Sequence, residues 1–222
     1  MSRKLNAIFF DVGNTLLFPN RDLILRPLYD RGLVPSLAQW HATERKTKQE
    51  FDSRMRGGTV DLGFWHLFYS HLLADLGMQV DGLRDQLTET TRISANWCIL
   101  LPGTREILER MGRGYRMGVI SNADGRIADV LASTGIAGCF RSITDSGLVG
   151  YEKPHPAIFE AALRDLGARA DESLYVGDGY SIDYLGATNA GMQAILLDVS
   201  GAYRDSGYAR VESLEELEEK MK

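Results

Sequence analysis

Cysteine is scarce in this 222-residue chain. Cys98 and Cys139 stand far apart and show no metal-ligand spacing. That excludes a disulfide scaffold or a cysteine-built zinc site and predicts two buried free thiols. Long apolar runs are missing too. The first, Ile8-Phe9-Phe10, is ended at once by Asp11, too early for the apolar region of a signal peptide. No stretch approaches the roughly 18 apolar residues that span a bilayer, so the expectation is a cytoplasmic protein with no membrane partner. Basic charge is not in excess: 25 Lys+Arg stand against 30 Asp+Glu, a formal charge of −5, which argues against a broad nucleic-acid surface. Internal repeats are absent, and the one biased tract, Glu212 to Glu219, reads as an amphipathic helix carrying Leu214 and Leu217. What is present is a globular balance of 44% hydrophobic and 25% charged residues. The length suits one large domain, or one domain with an insertion, and a core that needs no staple.

Two textures follow one another along the chain. From Tyr115 onward, apolar runs alternate with helical patterns. Strands are predicted at Tyr115–Ile120, Ser142–Thr144, Ser173–Val176 and Ala194–Leu197. Helices are predicted at Gly125–Ser133, His155–Leu166 and Ile182–Ala190, with Gly135, Gly167 and Gly191 as left-handed caps. Leu5–Phe10 is apolar without alternation, which predicts a strand buried on both faces. Alternating strands and helices imply a parallel sheet with right-handed crossovers. Between Leu16 and Trp97 strand signals are absent. Helical periodicity appears near Leu23–Tyr29, Leu37–Met55, Leu62–Leu76 and Leu83–Ile93. Pro102-Gly103 marks the return to the α/β body, with Thr104 expected to cap Arg105–Met111. The predicted architecture is therefore an α/β body from residues 1–15 and 98–222, interrupted by a helical domain over 16–97.

The chemistry sits at strand ends. Four elements finish in polar residues: Asp11-Val12-Gly13-Asn14-Thr15, then Ser121-Asn122, then Lys153 in Gly150-Tyr151-Glu152-Lys153-Pro154, then Gly177-Asp178 with Asp183 beyond. Open parallel sheets bind ligands outside the carboxyl ends of their strands. Clustered carboxylates repel one another unless a cation lies between them. Mg²⁺ suits carboxylates, water and phosphate oxygens. Ser121, Asn122 and Lys153 supply phosphate-binding donors, and Asp11 is a carboxylate nucleophile for phosphoryl transfer.

These residues resemble the four motifs of the haloacid dehalogenase-like (HAD) hydrolase superfamily, in order and over nearly the whole chain. Asp11 and Thr15 match D-x-D-x-T. Ser121 matches the second motif, Gly150 to Phe159 match G-x-x-K-P-x-P-x-I-F, and Gly177, Asp178 and Asp183 match G-D-x-x-x-x-D. The resemblance implies a Rossmann-like parallel sheet of order 5-4-1-2-3, with the insertion as a helical C1 cap. It also implies one Mg²⁺ held by Asp11, the Gly13 carbonyl and Asp178, with Asp183 ligating through water or orienting the ligands. Asp11 would form an aspartyl-phosphate, Thr15 would hold it by a hydrogen bond, Ser121 and Lys153 would bind phosphate, and Asn122 would line the pocket. The implied partner is a small phosphorylated metabolite, and the implied assembly a monomer or a homodimer.

Motif one departs from the family pattern. The second aspartate, which protonates the leaving group and then deprotonates water, is Gly13 here, and general acid–base catalysis contributes roughly 10²–10⁴-fold. Aryl and acyl phosphates depend on it least. Three other proton carriers, His41, His66 and His71, read as helix-surface or locally bonded residues, and Asp124 as a turn or cap residue. Two alternatives remain. One is phosphonoacetaldehyde hydrolase-like P–C chemistry using Lys46 or Lys48, although Glu44–Lys48 reads as a solvated charge run. The other is a weakly active or non-catalytic protein that binds a phosphorylated ligand in a regulatory role. Trp40, Arg54, Arg56, Trp65 and Tyr69 are candidate entrance residues.

Overall fold

The computed structural model describes residues 4–57 and 63–222. Strand β1 (Ala7–Phe10) is followed by β2 (Leu17–Phe18), which pairs antiparallel with β3 (Ile99–Leu100). Between β2 and β3 lie only helices among the described residues: α1 (Arg21–Ile24), α2 (Arg26–Tyr29), α3 (Leu37–Arg56), α4 (Phe64–Asp75) and α5 (Leu83–Arg92). The body then continues with α6 (Thr104–Met111), β4 (Arg116–Ser121), α7 (Ile127–Ser133), β5 (Ser142–Asp145), α8 (Ser146–Val149) and α9 (Pro156–Leu166). It ends with β6 (Ser173–Gly177), α10 (Leu185–Asn189), β7 (Gln193–Leu197), β8 (Arg210–Val211) and α11 (Leu214–Lys220).

The main sheet runs β5-β4-β1-β6-β7-β8, all neighbours parallel. Its first five strands give the expected order, and β8 adds an edge. Strand β1 is central because its residues have an apolar mass to bury on each side. Ile8 and Phe10 join one core with Val119, Leu131 and Val176, while Ala7 and Phe9 join the opposite core with Ile158, Phe159 and Tyr175. A third core belongs to the helical block, where Trp40, Phe68, Leu72 and Leu87 pack together. No helix among the described residues is long and apolar enough to cross a membrane.

Local chemistry sets the helix ends. Ser36 and Gln39 form a reciprocal capping box on α3. His155 caps α9, Pro156 opens it, and Gly167 closes it in the left-handed region at φ 63°.

Several expectations need correction. Strand β2 lies where strand signals are absent, because a two-residue pair has no period to detect. Gly103, not Thr104, occupies the cap of α6, and Thr104 is buried inside the first turn. The helix expected over Ile182–Ala190 begins as a wide π-helical turn at Tyr180–Tyr184 before α10. The one expected over Leu62–Leu76 is seen from Phe64; Leu62 lies outside the described residues. The two cysteines are free but only half-buried.

Candidate active site

The carboxyl ends of β1, β4 and β6 place Asp11, Ser121 and Asp178 around one mouth, and a cavity of about 880 Å³ opens there between the sheet and the helical block. Lys153, in the turn before α9, sits at the floor and is 4% exposed. Its ammonium donates to Asp11 Oδ1 at 2.6 Å, Asp183 Oδ1 at 2.7 Å and the Tyr175 hydroxyl at 2.8 Å. Asp11, Asp178 and Asp183 each offer an oxygen within 4.8 Å of the others.

Charge decides the protonation states. Burial is the largest influence on Asp11 and raises it; Lys153 opposes that, and Asp183 and Asp178 add to it, leaving the carboxyl pushed from 3.8 up to about 7. Burial alone would depress Lys153, but Asp11 and Asp183 more than offset it and hold the ammonium above its usual range. Burial also raises Asp178, with Lys48 opposing. Three carboxylates thus share too little positive charge. The all-oxygen donor set and its compactness fit a hard divalent cation, with Asp11, Asp178 and Asp183 as the side chains that would hold it.

Backbone geometry makes the cluster. Asn14 has φ 54°, and the amides of Leu16 and Leu17 both donate to Val12 O at 2.9 Å, folding the chain sharply after Asp11. Gly177 is demanded by contact rather than conformation: a Cβ there would lie 2.5 Å from Asp183 Cγ. The absent side chain lets the Asp183 carboxylate fold back to accept the Gly179 N–H at 2.9 Å.

One expected interaction is replaced, and a second residue gains a further role. Thr15 Oγ1 does not hold Asp11; it is buried with no hydrogen-bond partner among the described residues, because the sharp fold after Val12 carries it away and Lys153 takes over that carboxylate. Asn122 lines the cavity as expected, and its amide also faces the Lys153 backbone. Its Oδ1 accepts the Lys153 N–H at 2.7 Å and its Nδ2 donates to the Lys153 carbonyl at 3.0 Å, clamping the lysine's backbone. Ser121 and Gly13 line the cavity.

The helical block contributes what sequence reasoning missed. Glu44–Lys48 is not a solvated run: Glu44 and Lys48 are buried on the inner face of α3, while Lys46 stays exposed beside Asp75. The Lys48 ammonium lies 2.8 Å from Glu44 and 2.9 Å from Asp178. Burial lowers its proton affinity, but Asp178 and Glu44 reverse that and hold it charged. One turn on, Asp52 accepts the Ser181 N–H at 3.1 Å, the Ser181 hydroxyl at 2.7 Å and the Tyr203 hydroxyl at 2.9 Å. The available signal was spacing: Trp40, Glu44, Lys48 and Asp52 recur every four residues. Tyr175 was missed as well, although a tyrosine two residues before Gly177 in a buried strand needs a hydroxyl partner.

Of the candidate entrance residues, Trp65 lines the cavity, whereas Trp40 and Tyr69 are core residues; Tyr69 hydrogen-bonds Thr91 at 2.6 Å. Arg54 and Arg56 do not line it. His71 is tied to Thr47 and Glu50, Asp124 accepts the Ser94 N–H, and His66 lines the cavity 3.7 Å from Asp85.

The haloacid dehalogenase-like hydrolase family model matches residues 5–191. This chain belongs to that family. It is 32% identical over 219 residues to a glyceraldehyde 3-phosphate phosphatase of Methanothermobacter thermautotrophicus, covering 90% of each. It is also 33% identical over 206 residues to haloacid dehalogenase-like hydrolase domain-containing protein 3 of Danio rerio, covering 86% of this chain and 84% of that one. In structure it resembles the HAD hydrolase YfnB of Bacillus subtilis, crystallised with magnesium, at a TM-score of 0.71 and 20% identity over 99% of both chains. The protein is a HAD hydrolase with a phosphatase among its relatives.

Proposed function

We propose that this HAD hydrolase is a cytoplasmic, Mg²⁺-dependent phosphatase of a small phosphorylated metabolite. The observation that carries the reading is the Lys153 ammonium seated between Asp11 and Asp183, with Asp178 alongside. Mg²⁺ bound by the three carboxylates supplies positive charge against the phosphoryl oxygens and against carboxylate repulsion. A cluster of that kind supports phosphoryl transfer better than metal-free attack on carbon.

In this reading the ionised Asp11 carboxylate attacks phosphorus and the ester P–O bond breaks, its electron pair leaving with the departing oxygen. Lys153 fixes the Asp11 orientation and favours its ionised form. The Ser121 hydroxyl and the Lys153 ammonium hold phosphoryl oxygens. Water then attacks the phosphorus of the aspartyl-phosphate, its proton passes to solvent, and Asp11 and inorganic phosphate are released. The helical block acts as the cap that covers the mouth. The test is phosphate release from aryl, acyl and sugar phosphates, glyceraldehyde 3-phosphate included, with and without Mg²⁺. Release that requires Mg²⁺ and vanishes in Asp11→Asn supports the reading; release equal in the two proteins refutes it.

The buried position of Lys48 favours a second reading, P–C hydrolysis through a lysine imine. Its charge opposes that reading, since an ammonium held by Asp178 and Glu44 is not a nucleophile. Borohydride treatment with phosphonoacetaldehyde is expected to leave Lys48 unmodified; a reduced adduct on Lys48 would establish the second reading instead.

A further inference from the structure

One wall of the cavity beside Asp11 is built around Gly13 and Trp97. A Cβ on Gly13 would meet three carbons of the Trp97 indole at 3.3, 3.5 and 3.6 Å, so a side chain there would press against the ring. Gly13 thus lacks a carboxylate and lies directly against the indole. The indole is fixed in that place. Trp97 is 9% exposed, and its Nε1 donates to the Thr91 carbonyl at 2.7 Å. Its ring stands 5.4 Å from that of Trp65, which meets Phe64 edge-on at 5.1 Å. Trp97, Trp65, Phe64 and Phe51 all line the cavity.

The polar groups that face the same space are engaged elsewhere. Asp52 accepts from Ser181 and Tyr203, Asp124 accepts from Ser94, and Lys48 is paired with Glu44 and Asp178. The wall beside Asp11 therefore offers aromatic faces, and at position 13 no carboxylate to protonate a leaving group.

We propose that this site selects aryl phosphates, whose flat leaving group rests against Trp97 and Trp65 and departs as a phenolate without being protonated. The proposal rests on the phosphatase reading above and names its substrate class. In the first step Asp11 forms the new O–P bond, and the aryl O–P bond breaks with its electron pair on the phenol oxygen. An acidic phenol carries that charge unaided; an alkoxide does not. In the second step water attacks the aspartyl-phosphate with no carboxylate at position 13 to take its proton, so that step is slow and the phosphorylated Asp11 accumulates. The chain is thereby set apart from a phosphatase of glyceraldehyde 3-phosphate, whose leaving group is an alkoxide.

The experiment is rapid-mixing kinetics in Mg²⁺ with substituted phenyl phosphates of graded phenol acidity, alongside glycerol 3-phosphate and glyceraldehyde 3-phosphate. Expected are a burst of phenol equal to the enzyme present and burst rates that climb steeply with phenol acidity. Both alkyl phosphates should run at least about 100-fold below p-nitrophenyl phosphate, the lower end of what acid catalysis supplies. Trp97→Leu should raise KM for the aryl esters several-fold and leave the alkyl esters unchanged, with Trp97→Phe restoring aryl binding. Gly13→Asp with Trp97→Leu should speed the alkyl esters and flatten the acidity dependence. If Trp97→Leu fails to fold, the wild-type series and Trp97→Phe still decide. Alkyl and aryl esters cleaved within tenfold of each other, with no burst, would overturn the aryl proposal and leave the phosphatase standing. No Asp11-dependent cleavage of any ester would remove both.

Discussion

Lys153 concentrates the energetics of the site in one side chain. Its ammonium pairs with two buried carboxylates, and its backbone is clamped by Asn122. Replacing it with methionine leaves Asp11 and Asp183 facing each other without a counter-charge, a change that costs roughly 3–5 kcal/mol when one member of a buried pair is removed. Lys153→Met should show that loss in urea denaturation of the metal-free protein, together with loss of activity; a midpoint equal to wild type would contradict the pairing.

Asp11 gives the pH dependence. Its native value of about 7 lies above the ordinary 3.8. The folded state therefore binds the proton more tightly than the unfolded chain. The stability this confers is complete below about 4 and is lost as pH rises through about 7. Metal-free wild type should accordingly lose stability relative to Asp11→Asn across that window. Parallel thermal-melt profiles for the two proteins would show that Asp11 does not titrate there.

Helix α3 is the element that joins the helical block to the site. Glu44, Lys48 and Asp52 lie one turn apart on its inner face, and the last two grip Asp178 and Ser181, the residues of the β6–α10 connection. Asp52→Ala removes acceptors from the Ser181 amide and hydroxyl and from Tyr203, three buried donors. Leaving one buried donor unsatisfied costs about 1–3 kcal/mol. The expected outcome is faster amide exchange over Leu37–Arg56 and at Ser181, with the β1–β4–β6 core unchanged. Exchange that rises equally everywhere would mean that Asp52 stabilises the whole fold rather than this contact.

At the scale of the molecule, the three carboxylates follow two strands, β1 and β6, separated by more than 160 residues of chain, and they meet only when those strands pair. A cation that binds them binds the native state alone and stabilises it by mass action, about 2.7 kcal/mol at a hundred times its dissociation constant. Mg²⁺ should raise the melting temperature of wild type and have little effect on Asp178→Asn. An equal rise in both would place the ion elsewhere.

Much of this was readable before any coordinates. Unbroken apolar runs announce strands buried on both faces, and a polar residue at the end of each run, as at Asp11, Ser121 and Asp178, sits where parallel sheets bind ligands. The motifs therefore fix which side chains face the mouth. They do not fix what each touches. Thr15 loses its expected partner to a sharp turn, and Asn122 turns to the Lys153 backbone. The two-residue β2 and β8 are too short to carry a pattern.

The sequence by itself determined the order of strands and helices, the buried faces of β1 and the set of acids and bases at the strand ends, because period and capping are local properties of the chain. Only the tertiary structure decided that Lys48 is buried against Asp178, that Tyr175 serves Lys153, and that Trp97 lies against Gly13. Those contacts join residues distant in sequence, and they exist only where the helical block docks over the sheet and excludes water from the charges between them.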